Sequence, residues 1–374
     1  MKFTKSLIAS GVLAAASTAS AKTTLDYEGR FFFQQNTYKV DQWPGVVDGD
    51  QKSAQGFKSD WLFLGLTTEW SGFTTNFSLS TDDTDGVGGG GVHVETAYVS
   101  KAYLGDKLTL SLGRQYTNMG GILINQYTTD NVTTGAAAFN LFSTFDGAVA
   151  DYNFGMGSVA LIAGSSPEVF AQTVSIDTDG DGTADIEGDE KSLSSASFMA
   201  SPFIGLVVNG DFGPATAKLS YHSRSTGDYK LDDADTSYLN KEFAWLAFGV
   251  GYEANNVAAV LEYLSNEEND KAAEVKSTTT ETSVKVAYTA GIYTPSLLYS
   301  MTENGTDADG DDPEKFSTID LTIKAQADEG MTWFLSYATT SYSDDGDEND
   351  DTDAGDMDTS TIKLGVSFLG SEAL

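Results

Sequence analysis

Cysteine is absent from the 374 residues. That excludes a disulfide framework, a thiolate metal site and a cysteine nucleophile. Histidine is nearly absent. His93 and His222 are the two, far apart in the chain, so the sequence offers no histidine cluster for a metal. Basic residues are scarce, with 21 Lys and Arg against 55 Asp and Glu and a formal net charge of −34. Nucleic acid is excluded as a partner, because its phosphates demand a basic footprint. An acidic chain instead attracts cations, divalent ions included. Long apolar runs are missing as well. The best candidate, Leu7–Ala16, is shorter than the ~20 residues that a membrane-spanning helix needs.

That run fits a different role. Lys2 and Lys5 precede it, and Ala19-Ser20-Ala21 closes the segment. A charged start, a short apolar stretch and an A-x-A site make a secretory signal peptide. We expect residues 1–21 to be that signal and residues 22–374 to be the mature chain, with an N-terminal anchor helix as the alternative. Loss of the two lysines takes the formal charge to about −36.

What the chain does have is alternation. In residues 93–116, Val94–Tyr103 reads as a strand and Leu104-Gly105-Asp106 as a turn. Leu108, Leu110 and Leu112 then share one face, and Lys107, Thr109, Ser111 and Gln115 share the other. Period 2 means a strand with one apolar and one polar face. The polar face is too polar for a core, and the apolar face is too uniform for a wet surface. Lipid outside and water inside satisfy both.

The same signal recurs along the chain. Thr24–Gln35 sets Leu25, Tyr27, Gly29, Phe31 and Phe33 against Asp26, Glu28, Arg30, Phe32 and Gln34. Phe316–Ala325 sets Ile319, Leu321 and Ile323 against Thr318, Asp320, Thr322 and Lys324. Thr361–Phe368 closes the series. Sixteen such segments can be counted. Short turns fall at 71–72, 104–106, 155–157, 212–214, 254–256, 290–291 and 328–330. Long polar connections fall between them, at 36–57, 81–92, 117–144, 167–200, 224–242, 265–280, 302–315 and 340–359. This predicts an all-β fold: a transmembrane antiparallel β-barrel of sixteen strands with short periplasmic turns and long extracellular loops. A barrel of that size encloses water, whereas eight strands would be filled by side chains. Closure is required, because in lipid every backbone polar group must find an internal partner.

Three segments carry a family resemblance: DYEGRFFF at the start of the mature chain, ETAYVSKAYLGDKLTLSLGRQYT, and the closing TIKLGVSF. They resemble the general porins of the Gram-negative outer membrane. The resemblance implies a homotrimer of sixteen-stranded barrels in contact with lipid and lipopolysaccharide. It also implies passive diffusion of small hydrophilic solutes and ions, and a third long loop, here 117–144, folded into the pore. A porin eyelet sets acidic loop residues against basic wall residues. Arg30 matches one such wall position, but the second falls near Asp60 or Trp61 and the third at Glu95, which is acidic. The ladder is therefore depleted, and we expect a cation-preferring pore lined by Arg30, Glu95, Lys101 and Asp130. Asp130 is the only carboxylate of an otherwise neutral third loop. A basic wall rebuilt elsewhere, from Lys101, Lys218, Arg224, Lys285, Lys324 and Lys363, is the competing possibility. Arg114 shares parity with Leu112 and should lie at the barrel rim or a subunit interface. The porin pattern also ends on an aromatic. Phe368 would be that residue, yet Leu369–Leu374 follow it.

One motif suggests metal chemistry. Asp177, Asp179, Asp181 and Asp185, with Gly182 for the turn, match the first nine positions of an EF-hand-type loop. The twelfth position is Gly188 rather than Glu. A weak extracellular Ca²⁺ site is the expectation and a solvated acidic loop the alternative; no cofactor is required. Catalysis has little support, since no Ser/His or Asp/His arrangement stands out. A substrate-specific channel, and less readily a barrel enzyme or adhesin, are the alternatives to a general porin.

Overall fold

The computed structural model describes residues 22–40, 50–82, 92–116, 122–123, 144–165, 175–176, 186–187, 202–225, 229–230, 237–239, 241–271, 275–306, 314–328, 330–343 and 357–373. Among these, sixteen strands form one closed antiparallel barrel. In chain order they are β1 (Lys22–Val40), β2 (Asp50–Trp70), β3 (Phe73–Asp82), β4 (Val92–Tyr103), β5 (Leu108–Tyr116), β6 (Thr144–Asn153), β7 (Gly157–Ser165) and β8 (Pro202–Phe212). They continue as β9 (Ala215–Ser225), β10 (Lys241–Ala254), β11 (Val257–Asp270), β12 (Val275–Tyr288), β13 (Tyr293–Thr306), β14 (Glu314–Asp328), β15 (Met331–Ser343) and β16 (Met357–Ala373). Each pairs with its sequence neighbour, and β1 pairs with both β2 and β16 to close the wall.

The two faces differ as the alternation requires. On β14, Ile319, Leu321 and Ile323 are 44–52% exposed, while Thr318, Asp320 and Thr322 are each 2% exposed. The first set faces lipid and the second faces the interior of the barrel. Tyr103, Tyr152, Tyr252, Tyr288, Tyr293 and Trp333 are exposed beside short turns. That is where an aromatic girdle meets the periplasmic interface. The short turns are tight. Asn255 and Asn256 both have positive φ, 51° and 66°, the geometry of a two-residue hairpin loop whose twist matches its strands.

Several long connections are shorter than the alternation predicts. The β1–β2 ladder runs out to the Val40–Asp50 pair, through most of the segment expected to be a loop. Likewise β11 reaches Asp270 and β12 starts at Val275. Strands that outrun the bilayer have water on both faces, so their hydrophobic alternation fades while their hydrogen-bond ladder continues. The residues after Phe368 are also wall. Leu369 pairs with Glu28 and Ala373 with Thr24, and the Phe368 ring stacks outward on Phe31, with centroids 6.0 Å apart.

Candidate functional site

The lumen wall is built by the inward-facing residues of these strands. From β9 round to β1 it is charged. Lys218, Glu262, Glu281, Lys285, Asp320, Lys363 and Arg30 are all buried in it, at 8% exposure or less. Charges held away from water must be compensated by partners, and this wall mixes both signs. Asp320 accepts hydrogen bonds from Thr322 Oγ1 at 2.6 Å and Ser336 Oγ at 3.3 Å. It also feels the charges of Lys285 and Lys363. Glu262 feels Lys218 and Glu281. From β2 to β5 the wall is mostly hydroxyls and amides, with Ser78 and Thr96 bonded to each other at 2.6 Å. A row of stacked rings runs along the inner face from β6 to β10. Phe145 lies 5.4 Å from Phe203, and His222 lies 4.2 Å from Trp245, which lies 5.3 Å from Phe243. The Arg224 guanidinium covers Phe243 at 4.6 Å.

A short piece of the β5–β6 connection reaches across to the charged sector. Leu123 is completely buried against Val260 and Leu298, with Ile122 packed alongside. Its backbone N–H donates to Glu262 Oε2 at 2.8 Å. Two glycines make room for this. A Cβ on Gly249 would stand 3.1 Å from Ile122 Cγ1, and one on Gly251 would stand 3.5 Å from Ile122 Cδ1. Residues 122–123 therefore stand inside the barrel, against the wall of β10, β11 and β13.

Arg30 is buried on the inner face, as parity predicts. Glu95 stands at a β-bulge: Thr96 pairs with Ser78 and Val94 with Leu79, so Glu95 is the extra residue of β4 at that point. Its carboxylate accepts from Ser80 Oγ and, at 2.5 Å, from the Tyr116 hydroxyl. Ser80 belongs to the inner face, so Glu95 does too.

The same bulge corrects Lys101. Counting by twos from Glu95 sends Lys101 into the pore, but beyond the bulge the odd residues of β4 face lipid. Lys101 pairs with Phe73 and with Leu110, which is 42% exposed. Its ammonium sits 4.3 Å over the Phe73 ring and 5.6 Å over Tyr103. It is a snorkelling lysine at the periplasmic rim. Arg114 also stands on the outer face, in a two-pronged ion pair with Asp146, both contacts at 3.0 Å. Asp130, Asp177, Asp179, Asp181 and Asp185 lie outside the described residues. The two-residue strands Ser175–Ile176 and Ile186–Glu187 pair on either side of the aspartate motif. Among the described residues no group of three or more potential metal ligands occurs.

Sequence reasoning did not single out Glu262 or the Ile122–Leu123 anchor. A signal for Glu262 was present: a carboxylate at the inward position between Val260 and Leu264, in the otherwise apolar stretch 257–264. The anchor had none, because a two-residue apolar contact in a loop has no periodicity.

A closed sixteen-strand antiparallel barrel with an apolar exterior is the fold of the outer-membrane porins. Solved structures of this kind superpose on nearly the whole chain. The outer-membrane channel DcaP of Acinetobacter baumannii matches with a TM-score of 0.59 at 13% identity, covering 95% of this chain and 99% of that one. OmpT of Vibrio cholerae in its trimer form matches with a TM-score of 0.58 at 13% identity, covering 93% and 99%. OmpF of Salmonella typhi matches with a TM-score of 0.55 at 14% identity, covering 93% and 97%. No protein-family model and no curated protein matches the sequence.

Proposed function

We propose that this chain is a passive diffusion channel for small hydrophilic solutes and ions in the outer membrane of a Gram-negative bacterium. One observation carries the reading: charged side chains line the lumen from β9 round to β1, and the Leu123 N–H is fastened to Glu262 among them. A wall of buried, paired charges with a narrowing segment suits selective passage of water-borne solutes. A barrel enzyme is disfavoured, since the His222 ring is stacked between Phe203 and Trp245.

The pore prefers cations. Glu28, Glu95, Asp151 and Glu268 on the inner face keep contact with water, while Arg30, Lys218, Lys285 and Lys363 are buried. Among the described side chains, Lys22, Arg224 and Lys324 are bases of inward parity that keep contact with water. The reversal potential across a KCl gradient tests this: a cation-selective sign is expected, and an anion-selective sign overturns it.

The working form is a homotrimer set in lipid and lipopolysaccharide. An outward Arg114–Asp146 pair is costly in mid-bilayer and tolerable at a rim or protein contact, and one of the structures sharing this fold is described as a trimer form. Residues 1–21 act as the export signal, so the mature protein starts at Lys22. The Asp177–Asp185 loop holds Ca²⁺ weakly on the extracellular side, through carboxylate spacing that resembles a calcium loop. A rise in melting temperature with Ca²⁺, reversed by chelator, is expected. Melting that ignores both removes the site.

A further inference from the structure

We infer that the β1–β5 sector of the lumen carries a binding subsite for a neutral, polyhydroxylated solute of about monosaccharide size. This rests on the channel reading and sharpens it to a class of solute.

The sector contains a recess of about 360 Å³ between Asp26 on β1 and Tyr116 on β5. That is the low end of the ~300–1,000 Å³ range of small-molecule sites. No lysine, arginine or histidine lines it. An anion would find no counter-charge there, and a purely apolar solute would strand its polar groups. The lining instead mixes rings (Phe63, Tyr98, Tyr116) with the Asn76 amide and the Asp26 carboxylate. A sugar matches both kinds of surface. Each hydroxyl donates and accepts, and its C–H face covers an aromatic ring.

The polar groups are already oriented. Thr67 Oγ1 donates to Asn76 Oδ1 at 2.9 Å, which fixes the amide and leaves its N–H donors for a ligand. Ser371 Oγ donates to Asp26 Oδ1 at 2.6 Å, which holds the carboxylate by one oxygen and leaves Oδ2 to accept. The Tyr98 hydroxyl makes no hydrogen bond within the described residues. The Tyr116 ring is locked by its bond to Glu95. The Ser78–Thr96 pair satisfies itself and forms the floor. Groups fixed before binding lose little entropy when a ligand arrives, which is the condition for selective affinity in an open pore.

The test is single-channel recording of the whole protein in planar bilayers, with D-glucose or D-gluconate added at constant KCl. D-glucose should reduce the current along a saturable curve, beyond the linear fall that viscosity causes, and D-gluconate should give only the linear fall. Asn76→Ala and Tyr98→Ala should each raise the half-saturating glucose concentration by about tenfold or more. Leu161→Ala, on the lipid face, should leave it unchanged. Heat-modifiable mobility in electrophoresis confirms that each variant is a folded barrel. Ohmic steps with a purely linear glucose response, or equal saturation in wild type and Asn76→Ala, overturn the subsite alone. Absence of conductance steps overturns the channel reading beneath it.

Discussion

Replacing Leu123 by alanine removes the apolar half of the anchor that holds the inner loop. The side chain is fully buried between Val260 and Leu298. Those neighbours belong to strands fixed on both sides by ladders, so the site has little freedom to collapse around the missing atoms. Leu→Ala at such sites costs ~2–5 kcal/mol. Taking ~3 kcal/mol, the ratio of anchored to released loop falls on the order of a hundredfold. The barrel ladder does not pass through Leu123, so overall unfolding is a poor readout and the pore is the right one. Glu262→Leu attacks the other half. It strands the Leu123 N–H, worth roughly 1–3 kcal/mol, whereas Glu262→Gln keeps an accepting oxygen and should do less. Single-channel recording and liposome swelling with sugars of increasing size give the assay. Leu123→Ala should show a larger, noisier open conductance and admit larger sugars, with Glu262→Leu next and Glu262→Gln closest to wild type. Unchanged conductance and exclusion limit in both Leu123→Ala and Glu262→Leu would refute the anchor.

Other expectations follow from the two faces of the wall. Glu95→Gln should move the KCl-gradient reversal potential toward zero; no movement removes Glu95 from the selectivity filter. Leu321→Arg places a charge on the lipid face of β14 and should cost ~2–4 kcal/mol near the bilayer midplane, measured by denaturant unfolding in vesicles. A change under about 1 kcal/mol contradicts the lipid assignment. Arg114→Ala strands Asp146 on the outer face and should lower the temperature at which detergent-solubilised oligomers dissociate, and Arg114→Ala with Asp146→Ala should recover part of that loss. Equal dissociation temperatures in all three forms argue against a role at a protein contact.

Much of this fold was legible because lipid and water impose opposite demands on adjacent residues. Ile319, Leu321 and Ile323 against Thr318, Asp320 and Thr322 state a strand, its register and its two environments at once. The sixteen strands and the positions of the short turns follow from repeating that signal. The strand ends above the membrane were not legible, since water on both faces erases alternation while pairing continues, as in β1 and β2 to Val40 and Asp50. Nor was the tail after Phe368, which the ladder with β1 turns into wall. Register is fragile to a single extra residue. The bulge at Glu95 keeps that carboxylate inside and puts Lys101 outside, and no composition rule marks it. The Leu123–Glu262 contact joins residues 139 positions apart, and such a pairing has no local signature.

The most direct test of an open, narrowed pore is the current through single protein molecules in a planar bilayer. Stepwise, ohmic conductance is predicted, larger in Leu123→Ala than in wild type. A folded, inserted barrel that gives no steps, in wild type and in Leu123→Ala alike, would contradict a diffusion channel.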